Sequence, residues 1–404
     1  MKYIIMVPDG MADYPVEELG GRTPLEVSHK ENMDSLAKNG LTGFVQTIPE
    51  GVNPGSDVAN LAILGYDPVK YYTGRGPLEA ANLGIELKED EVALRCNLIT
   101  AEADKLLDYS AGHISSKEAA VLIKFLDEKL GSEKIKFLPG VSYRHILIIK
   151  EGPALDLSSA KFFPPHDIMG SSIAKHLPKE KTASRLVELM EKSRRLLESH
   201  EINQVRIDLK ENPANMIWLW GPGKKPVLEK FTEKFRVKGS VISAVDLIKG
   251  LGKIIGLEVV EVAGANAYYD TNYLGKAEAA VQSLKNKDFV FVHVEATDEA
   301  GHNGDLRMKI SCIERFDREV VGTILKRLAG RKDFRILLLP DHATPVSLRT
   351  HSSDPVPFVM FGEEIEASGA AGFSDRRDKE TPIQFASGPQ LLEFFMQKTS
   401  EKIL

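Results

Sequence analysis

Asp298-Glu-Ala-Gly-His302 sets a carboxylate and an imidazole four residues apart. On a helical turn that spacing brings both side chains to one face. Carboxylate oxygen and imidazole nitrogen together suit Zn²⁺ or Mn²⁺. An Asp at a helix start is also an ordinary N-cap, so the pair alone decides nothing. Asp341-His342 follows the apolar run 336–339 and Pro340, at the mouth of a buried strand. Thr350-His351-Ser-Ser-Asp-Pro-Val-Pro357 comes shortly after, and Asp9-Gly10 ends the first apolar run. Singly, each fits a polar turn. Jointly they gather Asp9, Asp298 and Asp341 with His302, His342 and His351 at strand edges. Such a set is costly to hold close without a cation. Asn53-Pro-Gly-Ser56-Asp57 then opens a helical stretch. Ser56 there is either an N-cap or a nucleophile whose hydroxyl a metal acidifies, and the two roles are compatible.

Positioning these groups requires strands with a common edge. Apolar runs at 2–7, 216–220, 240–245, 257–262, 288–294, 334–339 and 356–361 read as buried strands. Helical patterns at 227–235, 276–284, 306–328 and 388–397 alternate with them. The expected fold is α/β, a mostly parallel sheet flanked by helices, with sites at the carboxyl ends of its strands. The middle differs: strands are expected at 93–100, 142–149 and 204–209, and helices at 116–130 and 182–199. We read 88–212 as an inserted α+β domain, and 1–87 with 213–404 as the metal-binding core.

Composition limits the alternatives. The 404 residues carry 52 Lys and Arg against 58 Asp and Glu, a net charge of −6. That argues against general nucleic-acid binding. The two cysteines, Cys96 and Cys312, make neither a zinc spacing nor a disulfide framework, which fits a reducing cytoplasm. No apolar run reaches membrane-spanning length, so no membrane partner is expected. Oligomeric state is left open.

A family resemblance rests on Val7-Pro-Asp9-Gly10, Pro54-Gly-Ser56-Asp57, Gly74-Arg-Gly-Pro-Leu-Glu79-Ala-Ala, Asp298-Glu-Ala-Gly-His302, Pro340-Asp341-His342 and the segment 350–357. In these phrases and their order, the chain resembles the cofactor-independent phosphoglycerate mutases of the archaeal type, a group of the alkaline phosphatase superfamily. Ser142-Tyr-Arg144-His145 and Pro164-Pro-His166-Asp167 are similar to that family's inserted domain. The resemblance implies two divalent ions, Mn²⁺ first, with Mg²⁺ or Zn²⁺ as alternatives. It places one on Asp298, His302 and His351 and the other on Asp9, Ser56, Asp341 and His342. It also implies interconversion of 3-phosphoglycerate and 2-phosphoglycerate through a phosphoserine at Ser56, with the insertion closing to exclude water. Arg144, His145, His113, His166, Asp167, Arg95, Asn97 and, from the core, Lys238 are the expected substrate ligands. His293 and Glu295 are expected to be structural or to orient metal ligands. Rival readings are another phosphomutase or phosphatase of the superfamily and a homoserine kinase-like enzyme. The chain has neither a Walker A loop nor the kinase glycine loop.

Overall fold

A computed structural model describes residues 1–150, 157, 160–376 and 383–397. Its strands, in chain order, are β1 (Lys2–Pro8), β2 (Leu41–Val45), β3 (Glu91–Glu102), β4 (Lys105–Asp108), β5 (Ile135–Val141), β6 (Arg144–Lys150), β7 (Met216–Lys224), β8 (Gly239–Ile242), β9 (Glu258–Val259), β10 (Phe289–Val294), β11 (Phe334–Leu338), β12 (Val356–Gly362) and β13 (Gln384–Phe385). The chain forms two compact units, Met1–Tyr72 with Val227–Leu404, and Thr73–Pro226.

The first unit carries an eight-stranded sheet in the order β13-β2-β12-β11-β1-β10-β8-β9. β11, β1, β10, β8 and β9 are mutually parallel, whereas β12 runs antiparallel to both β11 and β2. Alternate β1 residues serve opposite faces. Ile4 and Met6 join a core with Met33, Ala277, Ile313 and Ile324, while Tyr3 meets Phe395 of the helix Gly388–Met396 edge to face. Burial on both faces explains the unbroken apolar strands. It also leaves polar function only the strand ends.

The second unit is an antiparallel five-stranded sheet, β4-β3-β6-β5 with β7 beside β3. Leu94, Cys96, Leu98, Leu147 and Ile149 face a core shared with the helices Ser116–Leu130 and Ser184–Leu197. Ala93, Ile146 and Ile148 face the other way, against Ala80 of the helix Arg75–Asn82.

Three expectations are corrected. The unit reaches beyond 88–212, because the helix Arg75–Asn82 packs on β3 and β7, and β7 completes the antiparallel sheet rather than the parallel one. Residues 204–209 are not a strand: 204–208 belong to the helix Glu201–Asp208, and Leu209 is its C-cap. Their alternating Val205, Ile207 and Leu209 are 56%, 50% and 65% exposed, so the period-two pattern faces solvent. His200 instead caps the helix, and Asn203 Nδ2 donates to the carbonyls of Leu197 and Ala214. The run 306–328 is interrupted by a π-helical turn, Phe316–Val321, between the helices Leu306–Arg315 and Gly322–Leu328. Asp317 within that turn accepts from the backbone N–H groups of Asn32 and Met33.

Candidate functional site

The carboxyl ends of β1, β10 and β11 lie side by side in the first unit's sheet. Asp9 follows β1, Asp298 lies in the helix Ala296–Asn303 just after β10, and Asp341 follows β11. β12 runs the opposite way, so its beginning lies at this same rim and brings His351 with it. Ser56 arrives as the first residue of the helix Ser56–Ile63. Its neighbour Gly55 has extended backbone, and Asn60, one turn on, donates to both the Ser56 carbonyl and Asp341 Oδ2 at 2.8 Å.

The side chains form two abutting groups. In one, His302 Nε2 lies 3.2 Å from Asp298 Oδ2 and 2.9 Å from His351 Nε2, and His351 Nε2 lies 3.5 Å from Asp298 Oδ1. In the other, His293 Nε2 lies 3.3 Å from Asp9 Oδ2 and 4.0 Å from Asp341 Oδ2. His342 stands between them: its Nε2 is 3.1 Å from Ser56 Oγ, 3.4 Å from Asp9 Oδ1 and 3.5 Å from Asp341 Oδ2, and its ring is 4.2 Å from that of His351. Asp298, His342 and His351 can share one ion, as can Asp9, His293 and Asp341.

The donor set fits divalent cations on physical grounds. Asp9 Oδ1 and His293 Nε2 are buried without a hydrogen-bond partner among the described residues. Two imidazole nitrogens 2.9 Å apart need a proton or a cation between them. Burial, Asp341 and Asp298 push the Asp9 carboxyl well above its usual range. Although burial opposes it, Asp298 raises the metal-free His302 to about 9. Against burial again, Asp9 and Glu295 raise His293 to about 10. Burial, with His351 and His302 nearby, takes His342 down to about 4 despite Asp341. Without metal the cluster is therefore loaded with protons, which cations displace on binding.

Supporting groups hold the clustered side chains in place. Gly10 N–H and His342 N–H both donate to Asp341 Oδ1 at 3.0 Å. Thr344 Oγ1 bonds Asp298 Oδ1, and Thr297 Oγ1 bonds the Asp9 carbonyl. Lys309 is wholly buried and donates to Asp13 at 2.6 Å and to the Thr344 carbonyl at 2.8 Å. A methyl group at Gly10, whose φ is +60°, would collide with Asp298 and Thr344, so only glycine fits the turn after Asp9.

The second unit gathers most of its candidates on one aromatic patch. The rings of His113 and Tyr143, Tyr143 and Tyr109, Tyr109 and His166, and His166 and Trp220 lie 6.2, 5.6, 6.1 and 5.8 Å apart. The guanidinium groups of Arg75 and Arg95 lie 5.4 and 5.0 Å from the Trp220 ring. Asn97 Oδ1 accepts from Arg95 and from Trp220 Nε1, and Arg95 also pairs with Glu79. Arg144 sits opposite Asn97 across the ladder, and Asp167 is 3.6 Å from His166.

Comparison with known proteins now assigns the family. Residues 37–203 match the family model for 2,3-bisphosphoglycerate-independent phosphoglycerate mutase. A Methanosarcina acetivorans protein of that name is 51% identical over 394 residues, 97% of this chain and 98% of its own. One from Methanosarcina barkeri is 48% identical over the same length and coverage. The chain belongs to the 2,3-bisphosphoglycerate-independent phosphoglycerate mutase family. A Pyrococcus horikoshii structure superimposes with a TM-score of 0.81 at 32% identity, covering 98% of this chain and 96% of that one. A cofactor-independent phosphoglycerate mutase from Thermoplasma acidophilum gives a TM-score of 0.64 at 28% identity, covering 98% and 99%.

Two expected substrate ligands of this mutase-family chain are misplaced. Lys238 precedes β8, where its carbonyl accepts from the N–H groups of Asp288 and Phe289 at the start of β10. It thus lies at the amino edge of the parallel sheet, opposite the cluster of Asp9, Asp298 and Asp341. His145 pairs with Cys96, not Asn97, so strand alternation turns it from the Arg144 face into the apolar core. Burial, then Arg95 and Arg144, depress it to about 3. The sequence reading also overlooked Asn60, Thr344, Lys276, Lys309 and Arg75. Asn60 had a usable sign, since it is one helical turn after Ser56. Lys276 and Lys309 had none, because a lysine in an amphipathic helix reads as solvated.

Proposed function

We propose that the chain interconverts 3-phosphoglycerate and 2-phosphoglycerate through a phosphoserine at Ser56, without 2,3-bisphosphoglycerate. The observation carrying this reading is Ser56 Oγ, 3.1 Å from His342 Nε2 and 3.5 Å from Asp9 Oδ2, at the positive end of a helix. Two divalent ions, preferably Mn²⁺, would be held by Asp9, Asp298, His302, Asp341, His342 and His351, with Ser56 beside them. Bound there, they would acidify the serine hydroxyl and neutralise charge on the phosphoryl oxygens. Ser56 Oγ gives up its proton and bonds phosphorus as the ester oxygen of the substrate leaves, and that oxygen takes up one proton, giving free glycerate. The other glycerate hydroxyl then takes the phosphoryl group back, and Ser56 recovers its proton. Asn60 orients Asp341 and the Ser56 carbonyl throughout. In the second unit, Arg144, Arg95, Arg75, Asn97, His113 and His166 supply the donors for recognising carboxylate and phosphate.

The direct test is a mutase assay on chelated protein before and after Mn²⁺ is restored, with no bisphosphate present, run beside a phosphatase assay. Restored mutase activity is expected. Ser56→Ala should abolish it while keeping the metal; activity surviving in that variant would eliminate Ser56 as the nucleophile.

A further inference from the structure

We infer that His293 is itself a ligand, through Nε2, of the cation held by Asp9 and Asp341. This rests on the two-cation reading above but adds an imidazole to its ligand set. Ligand atoms about 2.0–2.2 Å from one ion lie about 3–4 Å from each other. His293 Nε2 meets that condition at 3.3 Å from Asp9 Oδ2 and 4.0 Å from Asp341 Oδ2.

The other ring nitrogen fixes the tautomer. His293 Nδ1 lies 3.0 Å from Glu295 Oε1. Glu295 is held as a carboxylate by two further donors: Lys276 Nζ reaches Oε2 at 3.0 Å and Ser243 Oγ reaches Oε1 at 2.9 Å. A carboxylate only accepts, so Nδ1 must donate, and Nε2 is the nitrogen whose lone pair a cation can take in exchange for a proton. Lys276 also donates to the His293 carbonyl at 2.9 Å, clamping both ends of the pair. Lys276 and His293 are wholly buried, and Glu295 nearly so. A carboxylate-held imidazole aimed at two further carboxylates is the usual setting of a metal-bound histidine. Between Nε2 and the carboxylates of Asp9 and Asp341 there is a place for one positive centre, which a proton or a cation fills. His342 does not fill the role alone, because it also groups with Asp298 and His351.

The test is made on the intact chain with ¹⁵N-labelled histidine, chelated and then reloaded with ¹¹³Cd²⁺. Only a coordinated nitrogen shows one-bond ¹¹³Cd–¹⁵N splitting. Split Nε2 signals are expected from His293, His302, His342 and His351, and His293→Gln should remove one of them. The same variant should bind one of the two Cd²⁺ ions at least about tenfold more weakly. Splitting at His302, His342 and His351 without His293 overturns this inference and leaves the two-cation reading standing. No splitting at any histidine overturns both. The wild-type spectrum decides even if the variant does not fold.

Discussion

Asn60 shows how an unremarkable side chain can govern a reactive one. Its amide donates 2.8 Å hydrogen bonds to Asp341 Oδ2 and to the Ser56 carbonyl, and it is wholly buried. Asn60→Ala should destabilise the chelated protein by about 1–3 kcal/mol in urea unfolding, since a buried acceptor loses its donor. It should also lower kcat, because Asp341 Oδ2 loses the donor that fixes it; unchanged values for both would remove Asn60 from the site. Arg144→Ala should reduce kcat/KM about 10- to 100-fold, the loss expected for a charged hydrogen bond, with metal content unchanged. Unaltered kinetics would exclude Arg144 from substrate recognition. The clustered Asp, His and Ser residues were legible in the sequence because such types at strand ends have few structural reasons to congregate. Their supports were not: Asn60, Thr344 and Lys276 are ordinary types in ordinary patterns, and only packing shows that they are buried against the cluster.

Among the elements, Gly74-Arg-Gly76 is a packing device. Gly74 has a φ of +134°, and an added methyl there would meet the Pro222 carbonyl. At Gly76 it would meet the carbonyls of Ala93 and Gly221. The helix Arg75–Asn82 therefore lies directly on β3 and β7, which places Arg75 over Trp220. Gly76→Ala should cost about 1–3 kcal/mol by overpacking and should also raise KM, because Arg75 shifts with the helix. Wild-type urea midpoint and KM would show that the helix tolerates the displacement. The parallel strands were legible because burial on both faces makes them continuously apolar. Residues 204–209 were misread for the complementary reason. Alternation marks a strand only when one face is buried, and here the apolar side chains remain in solvent.

For the molecule as a whole, protons and cations compete for the same rim of the first unit. His302 at about 9 and His293 at about 10 are raised above their unfolded value, so each stabilises the metal-free fold at low pH. That contribution is complete below about 6.5 and is lost as pH climbs through 9 and 10. His342, at about 4, acts in the opposite sense: its protonation favours unfolding as pH falls from about 6.5 towards 4. The chelated first unit should therefore be most stable near neutral pH and weaken on either side. Cation binding follows a different course, because each proton displaced makes it up to about tenfold tighter per pH unit. The rise in Tm on adding Mn²⁺ should grow from pH 6 to pH 8.5, as measured by calorimetry on chelated and reloaded protein. The net charge of −6 supplies no general attraction for either form of an anionic substrate, so this local exchange should also set the acid limit of activity. A Tm increment that stays constant across that range would mean that the cations do not displace histidine protons, and the ligand set would have to be redrawn.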